Sequence, residues 1–230
     1  MFAVLGMHRS GTSWLAGSLQ EKGLELGEVS TGNLHNLKGN RESEVLIALH
    51  DAVLAENGGS WRRPPSRIRW SEARRAELAA YVARMNADYP LWGFKDPRAL
   101  LLLSAWRDAV PDLERVGIYR HPLAVHRSLA ARSDRFDEAR STSLWCAYNE
   151  RLVEELRRSA FPLLRFDVAP SELTALLDAV ARDLRLPGAD RASSFFEEGL
   201  VHNNDAAAAE PVPRACRALW DALESFRRRA

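Results

Sequence analysis

Hydrophobic positions fall into two patterns along the chain: short continuous apolar runs, and longer segments with an apolar residue at every third or fourth position. The short runs predict buried strands at residues 2–5, 91–95, 114–119 and 162–166. The periodic segments predict helices at 12 to about 22, 44–56, 71 or 72 to about 87, 97–109, from 122, 141–158, 170–184 and 212–229. Strands that alternate with helices favour an α/β fold of three layers, α/β/α, with a central, mainly parallel sheet covered on both faces.

Two glycines, Gly6 and Gly11, enclose the segment between the first strand and the first helix. The first N–H groups of a helix have no partner within the helix, and this end of its dipole is positive, so such a loop can bind phosphate or sulfate. The spacing is that of a P-loop, but Thr12 stands where a Walker loop has lysine, and the cation within the loop is Arg9. The alternative is a glycine turn that only joins strand to helix.

Composition predicts one domain over residues 1–230, because this length suits a single α/β core. The 32 Lys and Arg residues nearly balance the 31 Asp and Glu residues, so no general basic field favours a nucleic-acid or membrane partner. Among these cations only Lys22, Lys38 and Lys95 are lysines, which makes a lysine at a functional position informative.

Cysteine and histidine spacing indicates no metal centre. Cys146 and Cys216 have no CxxC partner and are predicted to be two scattered, packed thiols of the kind that a reducing cytosol permits. The six histidines show neither HxxxH nor HExxH spacing. The first strand begins at Phe2 and no apolar run approaches about 20 residues, so we expect a cytoplasmic protein without a membrane span.

The residues Gly6-Met7-His8-Arg9-Ser10-Gly11-Thr12-Ser13 resemble the 5′-phosphosulfate-binding loop of sulfotransferases, in which Lys or Arg precedes Ser-Gly-Thr. The donor in that family is 3′-phosphoadenosine 5′-phosphosulfate (PAPS). The resemblance therefore implies that this loop binds the donor through Gly6, His8, Arg9, Ser10, Gly11, Thr12 and Ser13. It covers roughly residues 2–186, is nearer the bacterial enzymes similar to the carbohydrate and tyrosylprotein branches, and leaves 187–230 as a C-terminal loop and helix.

A second string, from Tyr119 to Ser128, is similar to the 3′-phosphate-binding element of the same family. Arg120 at the end of a strand can present a guanidinium fork to a phosphate, and Ser128, about two turns into the next helix, can donate its hydroxyl from the same side. Arg132 lies one turn further on the same face and is matched in the tyrosylprotein branch. By itself, Arg120 would equally suit an ion pair at the sheet edge.

The string Phe94-Lys95-Asp96-Pro97-Arg98 follows the second predicted strand. Asp96 as N-cap and Pro97 at the first helical position are explained by helix capping. Lys95 lies at the carboxyl end of a strand, where open α/β sheets place their ligands. Its resemblance to a Lys-Asp-Pro string of the family implies contact with the transferring sulfuryl group.

The segment Asn36-Leu37-Lys38-Gly39-Asn40-Arg41-Glu42-Ser43 resembles an Asn-Pro-Lys-Gly-aromatic-aromatic-Glu segment of bacterial sulfotransferases. It departs from that pattern at Leu37 and at Asn40-Arg41. The resemblance implies that Glu42 is the carboxylate base, with Glu28 and Glu44 as alternatives. A glutamate in the first turn of a helix would also be favoured there by the helix dipole alone.

These observations predict a metal-independent transfer from PAPS to a hydroxyl, or an amine, of a small-molecule, carbohydrate or peptide acceptor. Glu42 would be the base, and Arg9 and Lys95 would stabilise growing negative charge. The rivals are a P-loop nucleotide or small-molecule kinase and a non-catalytic protein that binds adenosine 3′,5′-bisphosphate. The acceptor would lie against residues 30–40, 61–70 and 195–204; arginines within 62–75 would be either a solvated surface or a rim for an anionic acceptor.

Overall fold

The computed structural model describes residues 1–32, 39–132, 136–193 and 210–228. Its strands are β1 (Phe2–Leu5), β2 (Gly93–Lys95), β3 (Glu114–Tyr119) and β4 (Leu163–Arg165). Its helices are α1 (Thr12–Glu21), α2 (Glu44–Glu56), α3 (Glu72–Asp88), α4 (Ala99–Ala109), α5 (Pro122–Ala130), α6 (Glu138–Arg158), α7 (Pro170–Asp183) and α8 (Arg217–Phe226), the last preceded by a 3₁₀ turn at Arg214–Cys216.

The four described strands form one parallel sheet in the order β2-β1-β3-β4, which confirms the predicted α/β fold. Phe2 is in register with Gly93 on one side and with Glu114 on the other. The chain passes from β1 to one neighbour and then crosses to the other, so the strand order reverses at β1. In open α/β sheets, ligands bind in the crevice at the carboxyl ends of the strands at such a point.

Alternating residues of β1 supply two separate hydrophobic cores. Phe2 and Val4 pack with α1 and α7, whereas Ala3 and Leu5 pack with α2 to α6 and α8. This period of two is what a strand requires when both faces of its sheet are covered by helices. The predicted three-layer arrangement is therefore confirmed.

Three predicted helix starts are wrong, those of α4, α6 and α8. Helix α8 begins at Arg217 and not at 212, because a 3₁₀ turn at Arg214–Cys216 precedes it. Helix α4 begins at Ala99 and not at 97: Asp96 Oδ1 accepts the Arg98 N–H at 2.9 Å and the Asp96 carbonyl accepts the Ala99 N–H at 3.0 Å, so Asp96 caps a turn that precedes the helix. Helix α6 begins at Glu138, three residues before the predicted start, because Asp137 Oδ1 caps the Arg140 N–H at 2.7 Å.

The two edge strands are three residues long and are both covered by other parts of the chain. Beside β2, the Gly93 N–H donates to the Glu25 carbonyl at 2.8 Å. Beside β4, the Arg228 N–H donates to the Leu163 carbonyl at 2.9 Å. Chain segments outside the sheet thus satisfy backbone groups on both of its edges.

The turn from β1 into α1 requires glycine at position 11. Gly11 has a φ of 90°, which is left-handed, and a Cβ there would lie 2.3 Å from Cδ2 of Phe166. Phe166 follows β4 and packs against Trp14 of α1 with ring centroids 6.0 Å apart. The close approach of loop and aromatic ring therefore depends on the missing side chain.

We expect Gly11→Ala to destabilise the protein more than Gly58→Ala. Both glycines have positive φ, which costs an alanine about 1–2 kcal/mol, but Gly58 (φ 73°) has no heavy atom within 4 Å of the added Cβ. The contact with Phe166 should add about 1–3 kcal/mol for overpacking. Urea unfolding of the two variants measures the difference, and equal losses would contradict the steric account.

Candidate active site

A cavity of about 320 Å³ opens at the carboxyl edge of the sheet. Its lining includes seven of the residues predicted from sequence, namely His8, Arg9, Thr12, Ser13, Glu42, Lys95 and Arg132. The other lining residues are Asn40, Trp61, Arg62, Pro97, Arg98, Leu129 and Phe136. The predicted site residues Gly6, Ser10, Gly11, Arg120 and Ser128 lie outside this lining; Arg120 and Ser128 both contact Arg9.

The loop from Gly6 to Ser13 turns sharply at Arg9, whose φ of 68° is left-handed. Gly11 is the N-cap of α1 and no side chain caps that helix. Within the described parts of the chain, two buried polar atoms of the loop, His8 Nε2 and Ser10 Oγ, have no hydrogen-bond partner. Buried polar atoms are normally paired, so these positions suit a polar ligand.

Three arginines from different elements, Arg9, Arg120 and Arg132, interact electrostatically beside this loop. Arg9 Nε donates to Ser128 Oγ at 2.7 Å, and Arg120 donates to the Arg9 carbonyl at 3.3 Å. Burial, followed by the charges of Arg132 and Arg120, lowers the pKa of Arg9 to about 10. Burial also lowers the pKa of Arg132 and, against the opposing charge of Asp167, the pKa of Arg120. We call Arg9, Arg120 and Arg132 the arginine cluster; its positive charges repel one another and would be stabilised by an anion.

Ser128 places beside the arginine cluster a hydroxyl group that can still donate a hydrogen bond. Its oxygen accepts the hydrogen bond from Arg9, and a serine hydroxyl carries one proton of its own. Ser128 can therefore accept from Arg9 and donate to an anion at the same time.

Arg120 lies over the Phe166 ring at 5.4 Å, which fixes its guanidinium at the end of β3.

Lys95 and Glu42 form a buried ion pair on the other side of β1. Lys95 Nζ lies 2.5 Å from Glu42 Oε1, 2.9 Å from the Asn40 carbonyl and 3.2 Å from Ser13 Oγ. These three contacts use all three donors of the ammonium group. Lys95 thus connects the start of α1 with the segment that carries Glu42.

Glu42 is the buried member of the three predicted base candidates, since Glu28 and Glu44 are exposed. The Glu42 carbonyl accepts the Ser30 N–H at 3.1 Å, and a Cβ at Gly39 would lie 2.3 Å from the Ser30 carbonyl oxygen. The close approach of residues 30 and 39 therefore places Glu42 beside the cavity. Asn36, Leu37 and Lys38 of the predicted segment lie outside the described residues.

Arg98, which sequence reasoning assigned no role, connects Glu42 to a buried chain of polar groups. Its guanidinium lies 3.4 Å from Glu42 Oε2 and 2.9 Å from Asp96 Oδ1. Asp96 Oδ2 lies 2.8 Å from His50 Nδ1, and Trp106 Nε1 donates to His50 Nε2 at 3.0 Å. Because indole N–H only donates, Nε2 of His50 must be the acceptor and Nδ1 must carry the proton.

The prediction that Asp96 does no more than cap a helix is therefore wrong. Burial opposes its ionisation, but the hydrogen bond from His50 and the charge of Arg98 outweigh burial and hold the pKa of Asp96 below its usual range. An ionised Asp96 in turn positions Arg98 beside Glu42. The string of residues 94–98 contained Arg98, but its sequence gave no sign of the contact with Glu42.

Aromatic residues form the wall of the cavity away from the sheet. Trp61 stacks on Phe136 with ring centroids 6.0 Å apart and packs against His8 at 4.3 Å. Arg62 lies over the Trp61 ring at 4.9 Å. Trp61 and Arg62 belong to the predicted acceptor segment 61–70, whereas residues 195–204 lie outside the described chain.

His8 is held neutral by its surroundings. Burial lowers its pKa well below 6.5, and the nearby charges of Arg98, Lys95 and Arg9 lower it further against the opposing effect of Asp96. A cationic His8 would add to an already positive region. The imidazole therefore contributes a ring surface to Trp61 and an uncharged nitrogen to the cavity.

Neither a metal cluster nor a membrane-spanning helix is found in the part of the chain that the structure describes. No group of three or more His, Cys, Asp or Glu residues among residues 1–32, 39–132, 136–193 and 210–228 could hold a metal ion. Over the same ranges, every helix is too short or too polar to cross a bilayer.

Comparison with known proteins identifies a structural relative. No family model matches the chain, and no curated protein sequence does. The structure is similar to the sulfotransferase domain of the olefin synthase from Synechococcus PCC 7002, with a TM-score of 0.55 and 18% sequence identity over 98% of this chain and 94% of that one. The class of fold is therefore an α/β fold shared with a sulfotransferase domain.

We expect the stability of the protein to fall below pH 6.5 through His8. Its pKa is lower in the folded than in the unfolded chain, so the unfolded state takes up the proton first, and stability is lost as pH falls towards the folded value. The loss is at most about 1.4 kcal/mol per pH unit for one group. His121 also has a lowered pKa and contributes in the same direction.

The measurement is the free energy of unfolding of wild type and His8→Asn between pH 7.5 and 5. As pH falls, the free energy of unfolding of wild type should decrease more than that of His8→Asn. The decrease caused by His121 is the same in both proteins and cancels in the comparison. Parallel pH curves would show that His8 is not the group responsible.

Proposed function

We propose that the protein is a sulfotransferase that uses PAPS as donor and transfers the sulfuryl group to a hydroxyl, or an amine, of a carbohydrate, natural-product or peptide acceptor. The observation that carries the proposal is the arginine cluster, which lies beside the glycine loop and across β1 from the Lys95–Glu42 pair. The fold shared with a sulfotransferase domain agrees with it. A cytoplasmic location stays a prediction.

The residues present fit a donor with two anionic ends. The unpartnered Ser10 hydroxyl and the start of α1 would bind the 5′-phosphosulfate, with His8, Thr12 and Ser13 beside it. Arg120, Arg132 and the hydroxyl of Ser128 would bind the 3′-phosphate. When bound, the donor supplies a sulfuryl group on a phosphate leaving group.

The remaining groups would serve the transfer itself. Glu42 would take the acceptor proton on a lone pair that its contacts with Lys95 and Arg98 leave unused, and the neutralised carboxyl group would bind Lys95 less tightly. Lys95 would then direct a donor at the growing negative charge, as would Arg9. The hydrogen bonds from Lys95 to Ser13 and to the Asn40 carbonyl would keep its ammonium group at the cavity while its contact with Glu42 weakens.

The rival functions have less support. A kinase would need a substitute for the Walker lysine, whose position is occupied by Thr12. A protein that only binds adenosine 3′,5′-bisphosphate would use the arginine cluster but would leave the buried Lys95–Glu42 pair in the cavity without a role, at the cost of desolvating two charges.

We expect adenosine 3′,5′-bisphosphate to raise the melting temperature far more than AMP, because only the bisphosphate has a group for Arg120 and Ser128. Arg120→Gln should remove most of that difference. Arg74→Gln, which changes an arginine paired with Glu56 and Glu77 outside the cavity, is the control and should keep it. Equal stabilisation by AMP would refute the role of Arg120 and Ser128, and stronger stabilisation by ATP with magnesium would favour a kinase.

We expect Glu42→Gln to lower kcat by on the order of 10² to 10⁴, the usual share of a general base, while the Kd for adenosine 3′,5′-bisphosphate changes only a few-fold. Glu44→Gln is the matched control, because Glu44 is exposed two residues away and should leave kcat unchanged. Turnover of each variant is measured as sulfated product by mass spectrometry, with PAPS and pooled acceptors. Unchanged turnover of Glu42→Gln would assign the base to another residue.

A further inference from the structure

The two cysteines of the chain are neighbours in space, although 70 residues separate them in sequence. Cys146 lies on α6, and Cys216 ends the 3₁₀ turn before α8. Their Sγ atoms are 3.6 Å apart and both thiols are free. The two thiols are free and packed, as predicted, but they pack against each other. The spacing of the cysteines in the sequence does not indicate this contact, because it depends on the packing of the C-terminal segment on α6.

The surroundings of the two sulfur atoms leave the path between them open. Cys146 Sγ lies 3.6 Å from the Ala215 carbonyl, and Cys216 Sγ lies 4.0 Å from the Thr142 carbonyl. A disulfide has sulfur atoms about 2.05 Å apart, so the side chains must approach by roughly 1.5 Å. The sulfur atoms are already neighbours, and the remaining approach falls to the two side chains and the 3₁₀ turn that ends at Cys216.

The two thiols differ in access and therefore in role. Cys146 is partly exposed, whereas Cys216 is fully buried. The hydrogen bond between them lowers the pKa of Cys146 and, together with burial, raises that of Cys216. An accessible thiol that ionises more readily attacks first, and a buried neighbour is placed to resolve the product.

We propose that Cys146 and Cys216 are a modification site, where the two residues form a disulfide with each other. The oxidant is a low-molecular-weight disulfide such as glutathione disulfide. The Cys146 thiolate attacks one sulfur of glutathione disulfide, forms a mixed disulfide and releases one glutathione thiolate. The Cys216 sulfur then attacks the Cys146 sulfur and releases the second glutathione. The two cysteines are oxidised, glutathione disulfide is reduced, and the two thiol protons end on the two glutathione molecules.

The bond would fasten the C-terminal segment, residues 210–228, to α6. That segment packs against the part of the sheet that precedes Arg120: Glu224 accepts from the Tyr119 hydroxyl at 2.6 Å, and Trp220 packs on His121 with ring centroids 5.2 Å apart. A covalent link across 70 residues restricts the unfolded chain. Oxidation should therefore raise the melting temperature.

The test treats the full-length protein with oxidised glutathione and measures intact mass without reduction. Wild type should lose the mass of two hydrogens, stay monomeric, melt at a higher temperature and return to the original mass with dithiothreitol. Cys216→Ala should instead gain one glutathionyl group on Cys146, which is the mass of glutathione less two hydrogens. Cys146→Ala is the matched control and should gain nothing, because Cys216 is buried.

Three results would overturn the proposal: a wild-type protein that keeps one or two glutathione adducts, a disulfide-linked dimer, or an unchanged mass at an oxidant concentration that modifies Cys216→Ala. Alanine and serine variants of each position are compared by melting temperature, so that a variant that fails to fold is replaced by the other. The wild-type mass change and melting shift stand without either variant, and none of these readouts depends on sulfuryl transfer.

Discussion

Repulsion among the neighbouring guanidinium groups of Arg9, Arg120 and Arg132 is the constraint on which the site depends. The lowered pKa values show that burial and, at Arg9, the neighbouring positive charges oppose the charged forms. The fold must therefore hold these side chains together with contacts made elsewhere. The left-handed backbone at Arg9, its bond to Ser128 and the Phe166 ring beneath Arg120 are contacts of this kind. A dianionic ligand would turn this repulsion into a net attraction between the ligand and the three side chains.

Charge is arranged differently on the two sides of β1. The β3 side holds the arginine cluster, whereas on the β2 side Lys95 and Arg98 alternate with Glu42, Asp96 and Asp51. The first arrangement favours an anion, whereas the second is a network of alternating charges in which Glu42 contacts both cations. This difference separates donor binding from proton transfer in the function that we propose.

The fold could be predicted from sequence where one local signal decided the structure. Helix α2 was predicted to its end residues, and the glycine loop was placed between β1 and α1, because the apolar period changes sharply at both positions. The start of α4 was missed because Asp96 has a tertiary role, with His50 and Arg98 as its partners. Lys95 and Glu42 were both singled out, but their pairing was not, since nothing in the spacing of 53 residues indicates a contact. The same limit applies to Trp61 with Phe136 and to the two cysteines.

The covered sheet edges have a consequence for how the protein behaves at high concentration. Exposed strand edges present unpaired N–H and C=O groups to other molecules and are templates for aggregation. Here each edge strand has three residues, and the Glu25 and Arg228 backbones occupy groups at the margins of the sheet. The Arg228 N–H thus occupies a carbonyl of β4 with which a second molecule could otherwise pair. Proteolytic removal of the segment that carries Arg228 would free the Leu163 carbonyl and leave β4 more open to pairing with a second molecule.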